Sequence, residues 1–418
     1  MNTGAPAQPD GKAGFNYGYV IVICAFVSLV AVYLLPFSYG VYFKPMAAEL
    51  GWNRTVVSGA FSLSRIVGSV MSIVFGLIVD KRGAKLVLIC CGLICGIGYI
   101  LLSGIDAVWQ LYVAYGILIG AGVSIFAPMV SITSKWFVRR RSMMVGIVIS
   151  GVGVATLIGP PLNTLLILDH GWRLSYIIAG AAVALLIIIM AQFMRREPVE
   201  LRETSDSTVA DTVNTAPVPG SSFSLREAIV TRQFWIFFLM SFCYAFCNMG
   251  LTIHIVPHIT DVGISATTAA YVLGTIGGVN VVGLTLMGFL GDRIGNKTTV
   301  ILGFILMSLS TLLLLFIKEV WLFYLFAVIF GLATAGIAPQ RGPLVAAMFG
   351  IKSHGLIFGA SDSSFMFGAA LGPLLAGYIF DLTGGYAAAF VVTAVVALLG
   401  LGLIISLNLK VNRSDEKY

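Results

Sequence analysis

Charge is what this chain has least of: Asp, Glu, Lys and Arg make up 10% of its 418 residues, while 58% are hydrophobic. A mean hydropathy of +0.98 leaves too little polar surface to cover a soluble globule of this length, so a bilayer is the expected solvent. Histidine is scarce, with 4 copies, and the 6 cysteines (Cys24, Cys90, Cys91, Cys95, Cys243 and Cys247) all sit in apolar runs without metal-like histidine company. They read as small packing residues, so no metal, cofactor or redox role is expected. Also missing are a phosphate-cradling loop, a nucleophile elbow and any polar stretch long enough to fold as an ATPase domain. Those absences argue against an enzyme and leave an ion or substrate gradient as the energy source. No cleavable leader pattern precedes the first apolar run, which is expected to act as an uncleaved insertion signal.

The formal net charge of +7 would suit a nucleic-acid partner if it were clustered, but its distribution gives another reading. Of the 25 Lys and Arg, nineteen fall on one side of the expected spans. Four, Lys44, Arg54, Arg173 and Lys318, fall on the other. Two, Arg65 and Arg341, lie inside apolar runs. By the positive-inside rule both termini and the central loop are then cytoplasmic, and the basic balance needs no nucleic acid.

Runs long enough to cross a hydrocarbon core of about 30 Å occur near 18–43, 55–79, 86–104, 108–134, 142–168 and 173–194. Six more follow near 233–258, 267–291, 298–317, 320–349, 354–380 and 385–409. The six tryptophans fall close to these ends, where an amphipathic ring prefers the interface. The expected fold is therefore an all-α membrane protein of twelve helices in two bundles. Its segments are a disordered tail at 1–17, a bundle at 18–194, a cytoplasmic linker at 195–232, a second bundle at 233–409 and a tail at 410–418. Within the linker, Ser224 with Glu227 three residues later has the spacing of a capping box, so a short surface helix is expected over FSLREAIVTRQF.

The two halves are related. GLIVDKRGAK at 76–85 recurs as GFLGDRIGNK at 288–297, an offset of 212 residues between Asp80 and Asp292, and Gly51 with Gly263 repeats at the same distance. A glycine that admits a neighbouring helix end, an acid at a helix terminus and a basic turn make a latch on one membrane face: Gly76, Asp80 and Arg82, then Gly288, Asp292 and Arg293. This resembles the G-x-x-x-D-R-x-G signature of the major facilitator superfamily, placed after the second and eighth helices; the first copy departs by one inserted lysine, Lys81. YGYVIVICAFV at 17–27, WFVRRRSMMVGIVISGVGV at 136–154 and GWNRTVVSGAFSLSRIVGSV at 51–70 look like sequences of the monocarboxylate porter family and its bacterial oxalate/formate-type relatives. The resemblance implies two rocking bundles around a central cavity lined by helices 1, 4, 7 and 10. These carriers often place a carboxylate-binding arginine on helix 8, four residues before the glycine of the Asp-Arg loop. Here that position is Leu284, with Asn280 one turn away on the same face.

Ionisable groups at bilayer depth need a partner or a wet cavity, because each costs roughly 2.5–3.5 kcal/mol by the lower estimates. Arg65 lies about ten residues into the second span, roughly 15 Å at about 1.5 Å per residue. Arg341 in APQRGP and Asp362 in GASDSSFMFG both lie about 12 Å from the turn joining spans ten and eleven. Two readings stand: a structural ion pair, or an arginine that meets an anion with the aspartate as its protonatable competitor. Arg65 is either a second anion contact or bonded to carbonyls. His254 and His258, one turn apart around Pro257, either couple protons or are solvated near the outer face. Tyr112, Tyr115, Asn248 and Asn280 are candidate polar contacts or packing, and Lys44 ends the first span, where it snorkels. The function expected is proton-coupled symport of a small organic anion, a monocarboxylate, by a monomer in the inner membrane. An anion exchanger, an exporter of a larger amphipathic compound and a non-transporting sensor are the alternatives.

Overall fold

The computed structural model describes residues 17–137, 141–195, 223–350 and 353–408. The tails expected at 1–17 and 410–418, apart from Tyr17, and most of the linker lie outside these residues. Among the described residues the chain is helical and contains no strand. Ten helices are long and apolar enough to cross a membrane, and they account for eleven of twelve crossings. One of them, Met143–Gln192, is 50 residues long and is two spans fused at Gly171, whose φ of 74° breaks the helix. The twelfth, over residues 108–136, falls short of the length criterion because it is broken into a turn of α-helix, a π segment Tyr112–Ile119 and a last helix Phe126–Trp136.

In chain order helix 1 is Gly18–Leu50, helix 2 Arg54–Arg82, helix 3 Ala84–Leu102 and helix 4 residues 108–136; helices 5 and 6 lie either side of Gly171. Helix 7 is Arg232–Asp261, helix 8 Ala266–Ile294, helix 9 Asn296–Leu313, helix 10 Val320–Phe349, helix 11 His354–Thr383 and helix 12 Ala387–Ser406. Buried side chains gather into two cores, one drawn mainly from residues 21–194 and one mainly from 223–407. These are the two bundles. Tyr17 bonds through its hydroxyl to the Phe193 carbonyl at 2.7 Å, and Lys297 bonds to the Leu407 carbonyl at 2.8 Å. With twelve crossings, residues 17 and 408 lie at the same end of the bundles, here called the near end; the far end carries Trp52, Asp261 and Asp381.

The duplication is visible in the backbone. Gly51 (φ 66°) and Gly263 (φ 96°) close the first and seventh helices, and Gly83 (φ 86°) and Gly295 (φ 92°) turn the chain after the second and eighth. Left-handed φ excludes most side chains, so each glycine of the repeat marks an obligatory turn. The capping box forms: Ser224 N–H donates to Glu227 Oε2 at 2.7 Å and Glu227 N–H to Ser224 Oγ at 3.4 Å, starting the helix Leu225–Val230. Phe223 N–H, just before it, donates to the Phe349 carbonyl at 3.1 Å, which ties this end of the linker to the second bundle.

Helices 1 and 10 are interrupted by 3-10 turns at Pro36–Ser38 and Ala338–Gln340, and helix 4 by its π segment. Proline removes a backbone donor and displaces the preceding carbonyls, so such breaks fall where neighbours can satisfy them. In helix 1, Asn163 Nδ2 donates to Ser38 Oγ at 3.0 Å and to the Gly159 carbonyl at 2.8 Å, while its Oδ1 accepts from the Tyr42 hydroxyl at 2.8 Å.

Candidate functional site

Arg341 opens the last segment of helix 10 immediately after the 3-10 turn, and the turn aims it at helix 11. Its Nη2 donates to Asp362 Oδ1 at 2.7 Å, as the equal depths of the two residues predict. The pair is unevenly exposed, with 8% of the arginine side chain open against 32% of the aspartate. The guanidinium lies 4.7 Å from the Phe365 ring centre and 5.5 Å from that of Phe358, and its Nε is buried without a hydrogen-bond partner. Phe365 itself packs against both cores, so this site stands at the seam between the bundles.

Arg65 presents the same pattern from the first bundle. Its Nε donates to Ser64 Oγ at a long 3.4 Å, its guanidinium stacks 4.9 Å over Phe61, and its Nη2 is buried with no partner. Among the described residues no hydrogen bond from Arg65 to a carbonyl is found. Tyr115 is fully buried 4.3 Å from Tyr39, centroid to centroid, and its hydroxyl is likewise unpartnered. A buried polar donor without a partner forfeits about 1–3 kcal/mol. Arg341 Nε, Arg65 Nη2 and the Tyr115 hydroxyl are thus donors that the protein leaves open.

Other candidates are committed elsewhere. Asn280 Oδ1 accepts from the Thr334 hydroxyl on helix 10 at 2.9 Å, which holds helix 8 to helix 10. Asn248 is half-buried in helix 7. Tyr112 packs its hydroxyl against Gly59, where an added Cβ would lie 2.1 Å away. The expectation that His254 is solvated is overturned: it is 0% exposed. Its Nε2 lies 2.9 Å from the Pro373 carbonyl and 3.2 Å from Ser58 Oγ, and its Nδ1 lies 2.9 Å from the Tyr386 hydroxyl. A carbonyl only accepts, so Nε2 carries the hydrogen and Nδ1 accepts from Tyr386. The cause of the burial is the closed far end, which seals helix 7 against helices 2 and 11. His258 is half-buried among Phe323, Tyr386 and Phe390.

That closure was the feature sequence reasoning missed. Arg54, at the start of helix 2, crosses the seam: its Nη1 donates to the Tyr386 hydroxyl at 2.5 Å, its Nη2 pairs with Asp261 at 2.8 Å, and its Cζ lies 3.5 Å over the Phe380 ring. Asp381 accepts from Arg54 N–H at 3.0 Å, Thr55 N–H at 2.7 Å and the Thr55 hydroxyl at 2.5 Å. Lys44 pairs with Asp261 at 2.6 Å rather than snorkelling alone. Deeper, Ser62 Oγ donates to the Ala370 carbonyl at 2.5 Å. Tallying cations by membrane face had placed Arg54 opposite the basic side but left its acidic partners unsought; acids at the far ends of the seventh and eleventh spans were the available signal.

The residues of the expected latch lie at the near end. A Cβ at Gly76 or Gly288 would meet nothing within 4 Å, and Arg82, Asp292 and Arg293 are exposed; the side chain of Asp80 lies outside the described residues. The close approach in the second copy occurs one turn on, where a Cβ at Gly291 would lie 2.5 Å from the Gln340 amide. Among the described residues, the hydrogen bonds and ion pairs found between the bundles lie in the far half. A cavity of about 400 Å³ also lies at the far half of the seam, between helices 1 and 5 and helices 7 and 8. It is apolar apart from Lys44, Thr164 and Thr260 and does not include either buried arginine.

Twelve helices in two pseudo-repeated bundles, broken helices at the seam and buried arginines beside it define a membrane transporter. The chain matches the Major Facilitator Superfamily family model over residues 21–285 and 237–417, and it belongs to that superfamily. Monocarboxylate transporter 13 of Rattus norvegicus is 26% identical over 412 residues, spanning 96% of this chain and 90% of that protein. The oxalate:formate antiporter of Oxalobacter formigenes is 23% identical over 423 residues, spanning 96% and 94%. Among solved structures, a bacterial homolog of the human lysosomal transporter Spinster, inward-facing and unoccupied, superposes with a TM-score of 0.73 at 15% identity, covering 94% of this chain and 97% of that one. The nucleoside transporter NupG gives 0.73 at 14% identity. These structural likenesses establish the fold, and the superfamily membership makes the chain a transporter, in line with the expectation that it is not an enzyme.

Proposed function

We propose that this transporter moves a small organic anion, a monocarboxylate, by proton symport, with Arg341 as the anion anchor and Arg65 as the second contact. The observation that carries the reading is the pair of unpartnered guanidinium nitrogens, Arg341 Nε and Arg65 Nη2, one from each bundle. A substrate carboxylate would satisfy donors that the protein leaves open, and it would compete with Asp362 for Arg341. Protonation of Asp362 would release the arginine to the anion, so the aspartate couples proton to cargo. His254, with both ring nitrogens occupied while the far end is closed, would exchange its proton only when that end opens. Tyr115 supplies a hydroxyl near Arg65, whereas Asn280 and Asn248 shape the helices around the site. Alternation is a rocking of the bundles, with the Gly76-Asp80-Arg82 and Gly288-Asp292-Arg293 turns engaging when the near end closes. By the charge asymmetry the near end is cytoplasmic, so both termini face the cytoplasm of a cell whose inner membrane holds the protein as a monomer.

The test is uptake of labelled lactate- or pyruvate-class acids into proteoliposomes with and without an inward proton gradient. Flux that rises with the gradient supports symport, and flux indifferent to it refutes proton coupling. The second reading is exchange, favoured by the likeness to an oxalate:formate antiporter. It requires counter-anion inside the vesicle and gives no net uptake without it.

A further inference from the structure

We infer that Asp381 of the second bundle serves as the N-cap of helix 2 in the first, and that with Asp261 and Tyr386 it grips Arg54 in a clasp that sets how firmly the far end is shut. Helix 2 begins after Asn53, which has the extended backbone of a cap residue (φ −68°, ψ 156°) yet makes no side-chain cap bond. Its first amides are taken instead by Asp381, through Arg54 N–H at 3.0 Å and Thr55 N–H at 2.7 Å. The orphan amides of a helix start are ordinarily satisfied by the residue just before them. Here they are satisfied from a different bundle, so the end of helix 2 is complete only while the far end is closed.

The acids involved have no local reason to be where they are. Asp261 is the last residue of helix 7 and Asp381 lies two residues from the end of helix 11. A carboxylate at a helix C-terminus faces the negative end of the dipole and is disfavoured there. A partner across the seam accounts for both. The contact is also tight, since a Cβ on Gly377 would lie 2.7 Å from Ser58 Oγ and 2.9 Å from the Arg54 carbonyl.

The internal repeat supplies a comparison within the same chain. Asn53 corresponds to Ser265 and Arg54 to Ala266 by the 212-residue offset of Gly51 and Gly263, and Asp381 corresponds to Leu168 by the 213-residue offset of Gly171 and Gly384. Ser265 caps its own helix, accepting from Thr268 N–H at 3.2 Å, and Leu168 has no carboxylate to offer. Of two equivalent seams, helix 8 with helix 5 and helix 2 with helix 11, only the second has exchanged a cap within its own helix for one across the bundles, and only there does an arginine replace alanine. That asymmetry is what a closing device would require and what packing alone would not. The clasp is separate from Arg341 and Asp362, so it stands or falls independently of the substrate assignment.

Hydrogen–deuterium exchange of the purified full chain in nanodiscs tests this without substrate. Asp381→Asn should raise amide exchange by roughly tenfold or more, the loss of one or two charge-assisted bonds, in helix 2 from 54 to 62 and also across the seam in 250–261 and 372–386. Asn53→Ser combined with Asp381→Asn restores a cap within helix 2, as in the second half, but not the tie between bundles. It should slow exchange at 54–57 while leaving the far side of the seam fast. Asp261→Asn should act in the same direction as Asp381→Asn, and it carries the test should Asp381→Asn fail to fold. Faster exchange confined to 54–57, or full recovery in the double variant, would show a local cap only and overturn the clasp, as would unchanged exchange in Asp381→Asn.

Discussion

Replacing either member of the Arg341–Asp362 pair separates a residue that handles cargo from one that only fixes packing. The arginine side chain is 8% exposed and the aspartate 32%. Removing one partner of a well-buried pair costs about 3–5 kcal/mol. The partial opening of Asp362 lets water screen it, so about 2–3 kcal/mol is the appropriate size for either single change to leucine. Arg341→Lys keeps the charge but loses the flat fork. If an anion binds there, one charge-assisted bond of about 1.5–3 kcal/mol disappears, and flux should fall roughly 10- to 100-fold while folded yield stays close to the parent. Asp362→Asn should leave exchange running while abolishing the response to a proton gradient, because an amide cannot take up the proton. Arg341→Leu with Asp362→Leu removes the unpaired charge, so thermal stability by tryptophan fluorescence should return toward the parent whatever the pair does. Transport decides the matter. A double variant that is stable and transports normally in proteoliposomes refutes the claim that either residue touches anion or proton.

Arg65→Leu should raise the half-saturating substrate concentration at least tenfold in the same flux assay with little loss of stability, because the change deletes an unpartnered guanidinium and breaks no strong bond. Asn163→Leu should destabilise by about 1–3 kcal/mol in a thermal melt, since it strands the Tyr42 hydroxyl and Ser38. Gly277→Val should cut transport at least tenfold while both bundles fold: a Cβ there already lies 2.5 Å from Leu157 N and 2.6 Å from the Thr156 carbonyl carbon, so helix 8 must move off helix 5 across the seam. Ser224→Ala should cost about 1 kcal/mol of local helix stability, read as faster amide exchange over 225–230, with no change in flux.

The layout was legible because bilayer and repeat each constrain it strongly. Apolar runs set the spans, and the 212-residue offset tied Asp80 to Asp292 and Gly51 to Gly263 before any coordinates. The Arg341–Asp362 contact was legible for the same reason: two ionisable groups at equal depth on consecutive antiparallel helices have few other partners. What escaped was the cross-bundle chemistry. Sequence distance carries no information about which face of helix 7 meets helix 2, so His254 looked like a residue near water although it is sealed by Ser58, Pro373 and Tyr386. Arg54 was counted as one more exterior charge because Asp261 and Asp381 lie more than 200 residues away.

The two ends of the seam differ in the kind of force each can supply, and that difference bears on how such a protein alternates. The far end is closed by directional contacts that are strong only in register: a guanidinium on two acceptors, a carboxylate on two amides, a serine hydroxyl on a carbonyl. Such bonds fail together, since moving helix 2 from helix 11 by a few ångströms breaks them all, whereas apolar contacts fade gradually with distance. The near-end glycines Gly76 and Gly288 have open space in front of them, so closure there has room to occur once the clasp is released. A transporter needs two closed states of similar free energy separated by a barrier. Polar bonds at one end and open glycines at the other leave room for two arrangements that do not grade into each other. The central arginines lie between them, where an anion that satisfies one guanidinium from each bundle would favour the arrangement that brings the two together.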